Sequence, residues 1–326
     1  MNPNNMKFLT LIFRLIVSLT FIFSGFVKLV DPLGSSYKFQ EYFSSEVLNL
    51  EFLIPYALPF SILLILAELM LGVMLLLGYL PKFTVWSLFF MILIFLFLTW
   101  YSAYFNKVLD CGCFGDAVKF STWETFYKNV VLLVFILILL FTTKYIRPLI
   151  HLNFAKWTTF LVFFAFLYVT YYVLVHLPII DFRPYAIGKN IPDGMKPAGN
   201  ELPPIHDFYL ESSDGLNLTE EVLKEDKVML IVAYNLDKSD RQGFSKIKEV
   251  SDKAIEKGYK VYALSASLEE DFLDIKDEFD LNFDLLFCDE TTLKTIIRAN
   301  PGIVILRNGT VTGKWNWIDA KKAMDN

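Results

Sequence analysis

Cysteine is almost missing from this sequence: of 326 residues, only Cys111, Cys113 and Cys288 carry a thiol. Three are too few to staple a disulfide scaffold, so any cysteine chemistry here is local. Histidine is equally scarce, and His151, His176 and His206 lie away from the close cysteine pair. Two soft ligands alone fall short of a tetrahedral set, so metal is the last of the readings for that pair and no metal ligand is assigned. Charge is thin at 20%, against about 25% in an ordinary soluble domain. No basic block stands out, which excludes the clustered cationic face that nucleic acid requires. The first apolar run has no small-residue cleavage site after it, so it reads as a retained helix rather than a cleaved signal peptide.

Apolar residues are in excess. They make up 55% of the chain, aromatics 17%, and the mean hydropathy is +0.44. Nearly all of the surplus lies before residue 181; beyond it the chain reads as ordinary globular protein. Five segments, about 8–29, 56–79, 83–105, 123–144 and 157–179, approach or reach the roughly 20 residues that cross a bilayer. The third is free of charge, whereas the fourth opens with Glu124 and Lys128, so four spans is the alternative. Lys7, Lys82, Lys144, Arg147 and Lys156 flank the same side as the N-terminus, while the 31–55 and 106–122 loops are acidic or balanced. The positive-inside rule then makes the N-terminus cytoplasmic, and an odd number of spans puts everything after 180 outside the cytoplasm. Trp100, Tyr101, Tyr104 and Trp123 fall where an outer aromatic belt belongs. The expectation is a multi-pass protein of a bacterial inner membrane, with the lipid bilayer as its first partner.

Two charges fall inside the spans. Arg14 is about 9 Å and Glu68 about 15 Å from the cytoplasmic helix ends, at 1.5 Å per residue. A charge at mid-bilayer costs roughly 2.5–3.5 kcal/mol, so neither should face lipid, and an Arg14–Glu68 ion pair is expected. Such a pair could lock the first two helices or serve a quinone- or proton-linked site. Ser24-Gly25 adds a small-residue patch for close helix contact.

The loop Asp110-Cys111-Gly112-Cys113-Phe114-Gly115-Asp116 follows the third span. Thiols one residue apart can close a small strained disulfide, with Gly112 relieving the backbone. An exposed, strained disulfide tends to exchange rather than to serve as a brace. A redox-active pair, a static clip and a metal site are the competing readings. Lys28 is a candidate cation for lowering a thiol pKa, with Asp110 and Asp116 opposing it.

Residues 8–145 resemble the MauE/DoxX group of four-helix membrane proteins. The resemblance is carried by Arg14, Ser24-Gly25-Phe26-Val27-Lys28-Leu29 with Asp31-Pro32, Ala67-Glu68-Leu69-Met70-Leu71-Gly72, Gly78 and Cys111-Gly112-Cys113-Phe114-Gly115-Asp116. It implies membrane redox work on the outer face. MauE is linked to maturation of the disulfide-rich methylamine dehydrogenase, and DoxX relatives to sulfur and quinone chemistry. Quinone is therefore the candidate cofactor, and an extracytoplasmic client or redox protein the candidate partner.

Residues 181–204 are rich in Pro and Gly and read as a tether. A compact domain follows. Strands are expected at 227–234, 260–265, 283–288, 302–306 and 311–315, helices at 240–257, 269–279 and 290–298, and a turn at Arg307-Asn308-Gly309. This order resembles the thioredoxin-like fold, which keeps a cis-proline where Asn300-Pro301 stands. The segment Tyr234 to Asp240 has no cysteine where a thioredoxin carries Cys-x-x-Cys, so this domain alone cannot exchange dithiols. Cys288 reads as a buried small hydrophobe, Trp315 and Trp317 as core or rim. The whole chain resembles a DoxX-type bundle fused to a cysteine-less thioredoxin-like tail. Its expected parts are 1–150 (four-helix membrane domain), 151–180 (fifth span), 181–204 (linker) and 205–326 (extracytoplasmic α/β domain). A thiol–disulfide or maturation factor using Cys111 and Cys113 is the first functional reading. A non-enzymatic anchor whose tail binds a partner is the second, and a transporter the third.

Overall fold

A computed structural model describes residues 3–108, 115, 117–118, 120–197 and 202–325. The chain divides into two compact units, Met1–Leu174 and Val175–Asn326.

The first unit is helical: α1 (Pro3–Val30), α2 (Pro32–Phe43), α3 (Ala57–Leu77), α4 (Pro81–Phe105), α5 (Thr122–Thr142) and α6 (Leu152–Val175). Helices α1, α3, α4 and α5 share one core in which Val17, Phe21, Leu75, Leu88, Ile92 and Ile136 are buried. Among the described residues, five helical stretches are long and apolar enough to cross a membrane. Their outward faces are apolar as well: on α4, Phe83, Trp86, Phe90, Ile94 and Phe97 form an exposed stripe at helical spacing. A helix hydrophobic all round belongs in lipid, and the protein is a multi-pass membrane protein. The fifth apolar helix, α6, touches the others through Phe166 and Val169, which pack on Leu29, Ile65 and Leu69.

Helix α2 is an addition to the expected 31–55 loop. Asp31 caps it by accepting from Gly34 N (2.9 Å), and Pro32 opens its first turn. Ser121 and Glu124 form a capping box at the start of α5, so Glu124 serves the helix terminus rather than interrupting the span. Small residues let α1 and α3 approach. A Cβ on Gly25 would lie 2.7 Å from Leu69 Cγ, and one on Gly72 3.1 Å from Ile22 N.

The second unit is built on a sheet of β1 (Val228–Val232), β2 (Lys260–Ser265), β3 (Asp284–Phe287), β4 (Gly302–Arg307) and β5 (Thr310–Asn316) in the order β3-β2-β1-β4-β5. β1, β2 and β3 run parallel, and β4 and β5 form an antiparallel hairpin beside β1. Six helices complete it: α7 (Ile191–Gly194), α8 (Thr219–Lys224), α9 (Arg241–Glu256), α10 (Glu269–Phe279), α11 (Glu290–Ile296) and a closing 3-10 turn (Trp317–Ala323). Alternate residues of β1 feed opposite faces, as a pleated strand must. Met229 and Ile231 meet Phe244 and Ile247 of α9 and Phe272 of α10. Val228, Leu230 and Val232 meet Leu293 and Ile296 of α11. This is a thioredoxin-like arrangement. Asn308 (φ 48°) and Gly309 (φ 71°) make the two-residue hairpin turn that the sequence signals.

The expected tether is corrected in part. Residues 181–197 lie packed on the sheet: Tyr185 and Ile191 are in its core, and Gly188 N and Ile191 N donate to Val311 O and Gly309 O. The prolines and glycines that suggested a loose chain instead fit it to the hairpin. A Cβ on Gly309 would lie 2.7 Å from Pro192 Cδ.

Candidate functional site

Two buried charges organise the bundle, though not in the expected pairing. Arg14 does not meet Glu68. Its Nε and Nη2 donate to Leu75 O (2.8 Å) and Leu76 O (2.7 Å), and Nη1 to Arg147 O (2.8 Å). The last carbonyls of a helix lack intrahelical donors and carry its negative dipole end, so a guanidinium belongs there. Gly78, at φ 71°, ends α3 and leaves room: a Cβ there would lie 2.7 Å from Arg14 Nη2.

Glu68 pairs with Lys28. The ammonium donates to Glu68 Oε2 (2.8 Å) and to Ser24 Oγ (2.7 Å), one helical turn back, and lies over the Phe95 ring. Glu68 is 1% and Lys28 7% exposed. Lys28 is therefore committed to a carboxylate, which weakens its expected role as the cation for a thiolate. A cavity of about 60 Å³ opens on the Lys28 side, lined by Tyr42, Ser61, Ile65, Phe95 and Thr99. A space of about 10 Å³ borders Glu68, Ser24 and Asn129, room for about one water. The pair thus stands between two small voids within the helices.

Cys111, Cys113, Asp110 and Asp116 lie outside the described residues. The described Gly115 stands beside α1, where a Cβ would come 3.1 Å from Val27 Cγ1, next to Lys28.

In the second unit, the Asn300–Pro301 peptide is cis. The loop after β1, which has no thiols, is closed by hydrogen bonds to Asn300. Asn300 Nδ2 donates to Asn235 O (2.8 Å), Ser239 Oγ donates to Asn300 Oδ1 (2.9 Å), and Asp240 N donates to Asn300 O (3.1 Å). Gly243 at the start of α9 lets the chain close on Pro301 and Trp317, 2.9 and 3.0 Å from a built Cβ. Cys288 is fully buried, and burial pushes its thiol up to about 12.

Residues 6–142 match the family model described as methylamine utilisation protein MauE. The helical bundle is MauE-like. No curated protein matches the chain. Among solved structures, the thioredoxin domain of a thiol-disulfide oxidoreductase from Bacteroides vulgatus aligns at 15% identity with a TM-score of 0.30, over 40% of this chain and 87% of that one.

In the MauE-like bundle the structure joins Lys28 to Glu68 and leaves Arg14 at a separate helix end. Sequence reasoning treated Lys28 only as a lone cation. The Ser24-to-Lys28 spacing of one turn was the available signal that its ammonium faces the helix interior. A second cluster, Asp181, Arg183 and Lys314, was hidden because residues 181–204 read as a tether.

Proposed function

We propose that this protein is a bacterial inner-membrane thiol–disulfide or maturation factor, working on the extracytoplasmic side through Cys111 and Cys113. One observation carries the reading. The cysteine pair lies in sequence between α4 and α5 of a MauE-like bundle, while the thioredoxin-like unit has no cysteine after β1. The basic flanks at Lys7, Lys82, Lys144, Arg147 and Lys156 support a cytoplasmic N-terminus, with the α4–α5 loop and the thioredoxin-like unit across the membrane. The family's description, methylamine utilisation, is in keeping with maturation of a secreted client.

In this scheme a client thiolate attacks one sulfur of the Cys111–Cys113 disulfide, forming a mixed disulfide and releasing the other sulfur as thiolate. A second client thiolate displaces the bound cysteine, leaving the client oxidised and Cys111 and Cys113 as thiols. Restoring the disulfide releases two electrons and two protons from Cys111 and Cys113, and a quinone of the bilayer would supply the oxidising capacity that accepts them. The thioredoxin-like unit holds the client or partner. Its closed, cysteine-less loop also favours a second reading, in which the chain is a non-enzymatic anchor.

The test is the redox state of Cys111 and Cys113 in living cells, read by alkylation and mass shift with and without quinone. Cycling with quinone supply supports the proposal, as does Cys111→Ser abolishing client oxidation while the protein still accumulates. A pair oxidised under every condition reduces it to a clip. A double Cys→Ser protein that works, where deletion of 177–326 does not, transfers the function to the tail.

A further inference from the structure

The thioredoxin-like unit holds a cluster unrelated to the thiol scheme. Asp181, Arg183 and Lys314 meet at a cleft of about 370 Å³ whose apolar wall includes Leu177, Ile179, Ile180, Ala186 and Ile187. Pockets for small ligands run from about 300 to 1,000 Å³. Arg183 is 3% exposed and the Lys314 side chain 3%, so both charges are built in rather than solvated.

Two cations share one carboxylate. Arg183 Nε donates to Asp181 Oδ1 (2.7 Å), Nη2 to Asp181 Oδ2 (2.9 Å) and Nη1 to Thr295 O (3.1 Å). Lys314 Nζ donates to Asp181 Oδ2 (2.6 Å) and Tyr185 O (3.2 Å). An Arg has five N–H groups and an ammonium three, so donors remain on both after Asp181 and the two carbonyls are served. Asp181 is held below the usual carboxylate range, its burial outweighed by the two cations. Burial, with Arg183 and Arg298 nearby, brings Lys314 down to about 7, against which Asp181 pulls upward. Buried cations with surplus donors at a cleft are what an oxyanion needs.

We propose that this cleft binds the phosphate head of an anionic phospholipid, its oxygens held by Lys314 and Arg183 and its chains started along the apolar wall. The rim argues for a lipid over a free oxyanion: Ile179, Ile180 and Ile187 are 58%, 42% and 61% exposed, an apolar border that inorganic phosphate would not use. The same segment begins two residues beyond Val175, where the last apolar helix ends.

The test is acetylation of Lys314 in the full chain in neutral detergent at pH 7, followed by peptide mass mapping. The probes are phosphatidylglycerol, phosphatidylcholine and inorganic phosphate. An anion that raises the lysine pKa by one unit reduces its free-amine fraction from about a half to about a tenth, so phosphatidylglycerol should slow acetylation about fivefold. Phosphatidylcholine and phosphate should leave it unchanged. Lys314→Met, which leaves the Asp181–Arg183 pair balanced, should lose retained phosphatidylglycerol in native mass spectrometry. Equal protection by phosphate would make this a free-anion site and overturn the proposal. Equal protection by phosphatidylcholine, absence of protection, or full lipid retention by Lys314→Met would overturn it too.

Discussion

Replacing Lys28 by methionine should destabilise the bundle more than the loss of one hydrogen bond explains. The ammonium and Glu68 Oε2 are 2.8 Å apart. At an effective dielectric of about 20 this is an attraction of about 6 kcal/mol, largely offset by the desolvation of both groups. Removing one partner leaves the desolvation without the attraction, at a typical cost of about 3–5 kcal/mol. About 3 kcal/mol, the lower end of that range, is expected for Lys28→Met. Glu68→Leu should cost a similar amount. The double variant should recover most of it, because two apolar side chains suit this interior. Equilibrium unfolding of the four proteins in mixed micelles, analysed as a double-mutant cycle, measures the coupling. Losses that simply add in the double variant would refute the pairing.

Gly72→Val should weaken the contact between α1 and α3 by about 1–3 kcal/mol, because the new Cβ would meet the backbone at Ile22 N and Ser18 O, at 3.1 and 3.2 Å. The same unfolding assay detects it, and an unchanged midpoint would show that the helices do not close as described. Cys288, its thiol pushed up to about 12 by burial, should stay unmodified by iodoacetamide at pH 8 in the folded protein and react fully in denaturant, as mass spectrometry reports. Lys314 binds its proton less readily folded, at about 7, than unfolded at about 10.4. The unfolded chain therefore holds more protons between those values, and this residue's contribution to stability rises as pH climbs through that window. Pulse proteolysis of the thioredoxin-like unit from pH 7 to 9 should show a steeper rise for the natural chain than for Lys314→Met; parallel slopes would refute it.

The spans were legible because twenty apolar residues in a row admit few other readings, and the α/β unit because its strands and turns carry strong local signals. The ion pair was misread for a geometric reason. Depth along each span counts from the cytoplasmic end of its apolar run, as if those ends lay in one plane. Arg14, eleven residues into α1, instead lies level with the end of α3, and Lys28 level with Glu68. Helix α2 was passed over because its composition is polar and its twelve residues too few for a span. The packed segment at 181–197 was misjudged because punctuation by Pro and Gly looks alike in a tether and in a fitted arm. Its buried Tyr185 was the residue that distinguished them.

Arg14 has a consequence for how the bundle can breathe. A single side chain clasps α1, the end of α3 and the segment after α5, and parting those elements breaks three charge-assisted bonds at once. Toward the other ends of α1 and α3, Lys28 joins the two helices through one ionic contact. Fluctuations should therefore pivot at the arginine rivet and splay the helices near Lys28, like a pair of tongs held at the joint.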